Sequence, residues 1–291
     1  MQESVAFIVD SKIFKETHTQ GMEEELDICS HGSRMGREEK LLLRIVIAET
    51  NDPSSIFPNS TNYFVPSYLK HLELDKFGLS QFLKYRSSNH PSLSASQRLF
   101  AQRMQDVLLN RLDSSSKYDM YLHDLVDCLI QECHLNNGLN VYTRASKLPL
   151  RVDGKNYTLL SNREGRNVDG IVWILQEGFH KFDTRYKKGD VQLAASLIAA
   201  CQANIEDAKG ELKSQTLYGL KVLGEEFFFC RIDFKEDYLK EILANKKPSN
   251  DLIVYRYPKS QGLRISKLDD RRLLLYFFHK LRDHMLSISL S

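Results

Sequence analysis

Five consecutive apolar residues, Ile171-Val172-Trp173-Ile174-Leu175, follow the turn pair Asp169-Gly170 and are themselves followed, after a charged stretch, by an alanine-rich segment from Val191 to Asn204. A strand with one wet face alternates apolar and polar residues, whereas an unbroken apolar run fits a strand covered on both faces. In the later segment Leu193, Leu197, Ile198 and Cys201 share one stripe at helical spacing, and the alanines between them permit close approach to a sheet. Together these segments predict a central strand and a helix lying on it, which places the chain among α/β or α+β folds.

The rest of the chain organises around this unit. Residues 1–62 read as an N-terminal arm or strand pair plus a linker, because 51–62 carry Pro53, Pro58 and several Asn, Ser and Thr. Residues 63–112 read as a helical segment packing on the core, with breaks around Asn89-His90-Pro91-Ser92 and Asp113-Ser114-Ser115-Ser116. Residues 113–291 read as the main domain. Tyr121, Leu122, Leu125, Leu129 and Ile130 predict a helix over 119–134, and the period then changes to two. Leu139 to Tyr142 reads as a strand, and 148–152 and 157–160 as a hairpin around Asp153-Gly154-Lys155. The glycines of 165–170 do not join a strand to a helix, so that stretch reads as a turn rather than a phosphate loop. Strands over 217–223, 226–232 and 252–257, a helix over 237–244 and a long helix over 268–286 complete the chain.

Composition narrows the function classes. Forty basic residues face 38 acidic ones, so the whole molecule attracts nucleic acid weakly and any such contact must be a local patch. No apolar run reaches the roughly 20 residues that cross a bilayer, and the N-terminus lacks a secretory pattern, which predicts an intracellular protein, cytoplasmic or nuclear, with no membrane partner. Five cysteines without a CxxC pair argue against both a disulfide framework and a structural zinc site. His279 and His284 lie five apart on the last predicted helix, a poor metal spacing, and read as surface or interface histidines.

Ile174-Leu175-Gln176-Glu177, followed by Val191-Gln192-Leu193 and the alanine-rich turns to Gln202-Ala203-Asn204, resembles a group of fungal PD-(D/E)XK nuclease-like proteins, related to nuclease domains of Crinkler-type effectors and mobile-element proteins. The resemblance spans roughly residues 113–286 and implies a restriction-endonuclease-like core, a mixed central sheet flanked by helices, with a small N-terminal extension. In a working member an Asp on one strand and an Asp or Glu on the next bind Mg²⁺ or Mn²⁺, and a Lys two positions after the second acid orients the attacking water. Strand alternation puts that acid and Lys on one face. Here the resemblance implies that Glu177 is the second acid, but the lysine position holds Phe179. The first acid position falls on Asn162, with Asp169 as a rival whose place beside Gly170 is also ordinary turn chemistry. Lys181 or His180 are candidates for a migrated lysine, Gln192 for an accessory polar residue, and Asp119 for a helix acid, each with a plain structural explanation alongside. The implied metal ligands are Glu177 and Asp169; with the site damaged, no cofactor is expected unless the protein is active.

A second candidate feature is the basic segment with Arg256, Lys259, Arg264, Lys267, Arg271 and Arg272, which offers phosphate contacts if it forms a surface, and is otherwise a solvated helix face. Arg185 to Lys188 add charge after Glu177. The sequence therefore supports a degenerate nuclease that binds protein or nucleic acid. It leaves open an active metal-dependent nuclease with a relocated lysine, or an effector acting only through protein contacts of its N-terminal arm.

Overall fold

The computed structural model describes residues 35–58, 63–86, 89–110, 116–136, 140–142, 146–167, 170–178 and 188–288. Two short elements open it, helix α1 (Arg37–Leu42) and strand β1 (Ile45–Glu49), followed by helices α2 (Leu79–Leu83), α3 (Ala95–Asn110) and α4 (Ser116–Glu132). Strands β2 (Asn140–Tyr142), β3 (Ser146–Val152), β4 (Lys155–Ser161), β5 (Arg163–Asn167) and β6 (Gly170–Gly178) lead to helix α5 (Lys188–Asp207). Then come β7 (Gln215–Leu223), β8 (Glu226–Phe234), α6 (Glu236–Leu243), β9 (Leu252–Tyr257), β10 (Leu263–Arg264) and α7 (Leu268–Ile288).

The main sheet is mixed, in the order β1-β9-β8-β7-β6-β5-β2, with β10 also pairing with β8; β6 runs parallel to β7 and β1 parallel to β9. Parallel neighbours require a crossover, and α5 supplies the one between β6 and β7. Both faces are covered, as the Ile171–Leu175 run predicts. Trp173 and Leu175 share one cluster with Leu125 and Leu129 of α4 and Phe277 of α7, while Ile171 and Ile174 share the other with Leu193 and Leu197 of α5. The chain is thus mixed α/β with helices on both sides of the sheet.

The Gln-x-Asn end of α5 has a mechanical role. Gln202 accepts from the Arg151 N–H at 3.2 Å and donates to its carbonyl at 3.1 Å. Asn204 does the same to Ile171, at 2.6 and 2.8 Å. Each carboxamide imitates a neighbouring strand and satisfies one residue's backbone groups, fixing the helix to both β3 and β6.

Three expectations need revision. The part of the linker that the structure describes, 51–58, is anchored: Asp52 caps a short 3₁₀ turn at Pro53–Ser55, and Ile56 and Phe57 beyond it are buried, Phe57 stacked on Tyr218 at 5.0 Å. β1, assigned by sequence to the arm region, is a strand of the main sheet. The stretch 165–170 read as a turn includes the second half of β5, a strand without apolar residues whose buried positions are Arg163, Glu164 and Gly165. A Cβ on Gly165 would come within 2.0 Å of Trp173 Nε1, so the indole uses the space a side chain would need. Gly165→Ala should cost about 1–3 kcal/mol of stability in a urea titration, as overpacking of a rigid core does.

The β3–β4 hairpin forms as predicted, with Asp153 and Gly154 both at positive φ, the conformation a two-residue hairpin turn requires. α7 also matches expectation, but its histidines are packed rather than on the surface. His279 faces Tyr68 Oη at 3.3 Å and Asp283 at 3.3 Å, and His284 sits edge-on to Tyr218 at 4.9 Å. Burial first, and the nearby Arg231 charge second, hold the His284 imidazole below its ordinary 6.5. The unfolded chain then binds the proton more readily than the folded one, so stability should fall as pH drops through about 6.5. Urea midpoints at neutral and mildly acidic pH should show this loss, and His284→Phe should reduce it.

Candidate functional site

Glu177 lies at the carboxyl end of β6, on the face covered by α4, and its side chain is only 4% exposed. Its neighbour Gln176 points to the other face, where it donates to Ser196 Oγ of α5 at 3.1 Å. Asn162 stands next to Glu177, as the sequence suggests, but its chemistry is structural: its side-chain oxygen accepts the Glu177 N–H at 3.0 Å while its own N–H donates to the Leu175 carbonyl at 3.1 Å. It bridges the bend between β4 and β5. Gln192 lies half-buried in the first turns of α5, on the helix covering the opposite sheet face. Asp169, Phe179, His180 and Lys181 lie outside the described residues, as does the side chain of Asp119.

The groups around Glu177 are ones the sequence reading did not select. Arg163, 3% exposed, hydrogen-bonds a Glu177 carboxylate oxygen through Nη1 and pairs through Nε with Asp127 at 2.9 Å. His123 Nδ1 contacts the other Glu177 oxygen and lies 3.3 Å from Arg163 Nη1. His123 and Asp127 are four apart and so share one face of α4, where they form a rim that is 40% and 39% exposed. The one legible signal was that i, i+4 spacing together with an Arg directly after Asn162.

This donor set does not fit a divalent metal. Mg²⁺ is held through carboxylates and water, and here the only buried carboxylate is engaged by a guanidinium and an imidazole. Among the described residues no group of three His, Cys, Asp or Glu is spaced to hold a metal ion.

Across the sheet, on the α5 face, lies a second buried charge cluster. Lys221 of β7, which pairs with Gln176, hydrogen-bonds Asp190 in the first turn of α5, and Arg256 Nε of β9 is 3.5 Å from the other Asp190 oxygen. Both cations are 4% exposed and lie over the Phe228 ring, at 5.1 and 5.4 Å. Glu49 of β1 completes the set by pairing with Arg256.

The basic segment does not assemble into one surface. Arg256 belongs to that buried cluster. Arg271 is fully buried, and its guanidinium donates to the carbonyls of Glu73, Leu74, Phe77 and Ile265. Arg264 pairs with Glu226, and Arg272 with Glu73 and Asp75. Of the six residues, Lys259 and Lys267 are exposed. The four described cysteines, Cys128, Cys133, Cys201 and Cys230, are buried and unbridged, and burial pushes all four thiols up, those of Cys128 and Cys230 to about 12, which disfavours the thiolate.

No protein-family model matches the chain, and comparison with curated proteins yields no match. No helix among the described residues is long and apolar enough to cross a membrane.

Proposed function

We propose that this chain is a degenerate PD-(D/E)XK nuclease-like protein that binds a partner without cutting nucleic acid. The observation that carries the reading is the pairing of Glu177 with Arg163: the carboxylate at the expected acid position has a built-in counter-ion where the chemistry would need a metal. The element order supports the resemblance, since antiparallel β5 and β6 bring Asn162 beside Glu177, the alanine-rich α5 follows, and β7, β8 and α7 close the core. The internal placement of Arg256 and Arg271 favours a protein partner over sequence-independent phosphate contacts from that segment.

Incubation of the purified chain with labelled DNA and RNA in Mn²⁺ tests the proposal. The expected result is no cleavage by the wild type and an identical trace for Glu177→Gln. Cleavage by the wild type that disappears in Glu177→Gln would make the protein an active nuclease.

A further inference from the structure

We infer that the outer edge of β1 is a strand-accepting surface and that its occupant is Val5–Val9 of the same chain, added antiparallel. β1 ends the order of the main sheet, and among the described residues no strand pairs with its outer edge. The Arg44 carbonyl accepts from the Leu252 N–H and the Thr50 N–H donates to the Arg256 carbonyl, so the backbone groups of the even-numbered residues face β9. Those of Ile45, Ile47 and Glu49 therefore point outward. Native sheets blunt such an edge with Lys, Pro or a bulge. Ile45-Val46-Ile47-Ala48-Glu49 has none of these and keeps an unbroken register with β9. Beside the edge, Val46 and its register partner Ile253 are exposed apolar side chains on one face. An added strand satisfies the outward groups and extends that apolar row.

Of the arm or strand pair predicted for the N-terminal region, β1 is one strand. Val5-Ala6-Phe7-Ile8-Val9, which lies outside the described residues, is a β-prone run of the same length. The outward groups at 45, 47 and 49 define a register in which Val9, Phe7 and Val5 oppose Ile45, Ile47 and Glu49 as hydrogen-bonded pairs. Ile8 then falls opposite Val46, next to Ile253, and Asp10 falls opposite Arg44. The antiparallel direction brings the carboxyl end of the segment to the start of β1, and residues 11–34, at roughly 3.3 Å per extended residue, are ample to connect it to Met35. The tether gives this segment a high effective concentration at the edge, an advantage over a separate peptide or a second copy.

Register-specific cross-linking in the full chain tests this. In a Cys29→Ser background, Ile8→Cys/Val46→Cys should close an intramolecular disulfide under mild oxidation roughly 10-fold faster or more than Phe7→Cys/Val46→Cys, because directly opposed residues bring their Cβ atoms within disulfide reach and Phe7 belongs to the other face. A second measurement needs no cysteine pair and decides alone if those variants fold poorly. In the wild type the Ile47 amide, which points to the edge, should exchange slowly with solvent deuterium. Phe7→Asp/Ile8→Asp should speed it roughly 10-fold or more while leaving the Val46 amide, bonded to β9, little changed. Equal cross-linking rates, a disulfide joining two chains, or an Ile47 amide that exchanges fast in the wild type or ignores the substitutions would each overturn the inference. Protection of Ile47 that rises with protein concentration would also overturn it, by assigning the edge to a second copy.

Discussion

Arg271→Met should destabilise the protein by roughly 3–5 kcal/mol, because it removes several charge-assisted hydrogen bonds to buried backbone carbonyls, each worth about 1.5–3 kcal/mol and not fully additive. Methionine keeps much of the volume, so packing over Phe82, whose ring lies 5.3 Å from the guanidinium carbon, is largely retained. What is lost is the donor set that fastens the start of α7 to the turn at Glu73–Phe77 and to Ile265. The carbonyls of Phe77 and Ile265 then lose a buried donor, each a sizeable cost, while that of Leu74 keeps the Phe77 N–H. Burial pushes the Arg271 guanidinium down to about 10, which leaves it protonated at neutral pH, so these are charge-assisted bonds. A surface phosphate contact would behave differently: removal would change stability by under about 0.5 kcal/mol and weaken nucleic-acid retention. Chemical denaturation and a retention assay on the same variant separate the two roles.

Asp190→Ala should cost a similar ~3–5 kcal/mol, because it leaves Lys221 and Arg256 buried with their shared counter-ion removed. Asp190 joins the first turn of α5 to β7 and β9, so the lesion should loosen the amino end of the crossover helix rather than the Gln202 and Asn204 contacts at its other end. Hydrogen exchange should show faster opening of the first turns of α5, with the amides near Ile171 less affected. Asp190→Asn should be milder, since the amide oxygen can still accept from Lys221. Equal, small effects of both substitutions would mean that the cluster is solvated and contributes little.

The legible part of this fold was the part written in apolar periodicity. Ile171–Leu175, the alanine-rich helix, the β3–β4 hairpin with its Asp-Gly turn and the last helix all follow from side-chain patterning that tertiary packing reinforces. β5 was hidden because a buried ion pair and a glycine under Trp173 do the work of apolar side chains there, and polar residues in a strand carry no period to read. The linker reading of 51–62 missed an anchor for a related reason: two apolar residues, Ile56 and Phe57, are buried in a segment whose composition is otherwise that of a turn. At the site, the nearness of Asn162 to Glu177 followed from the spacing and the resemblance, whereas Arg163 depends on β5 pairing with β6, and His123 and Asp127 on which residues α4 brings over the end of β6. The basic segment misled because charge counts along a sequence do not distinguish a solvated arginine from one whose donors are spent on buried carbonyls.

The central claim, that Glu177 serves as the partner of Arg163 rather than as a metal ligand, is tested most directly by a double-mutant cycle. Stabilities of the wild type, Arg163→Ala, Glu177→Ala and the double variant would be measured by urea unfolding with and without Mn²⁺. The account predicts a coupling energy of about 1.5–3 kcal/mol, within the range for contacting charged residues, unchanged in the wild-type background by the ion. A coupling near zero, or a wild type stabilised by Mn²⁺ through Glu177, would contradict it.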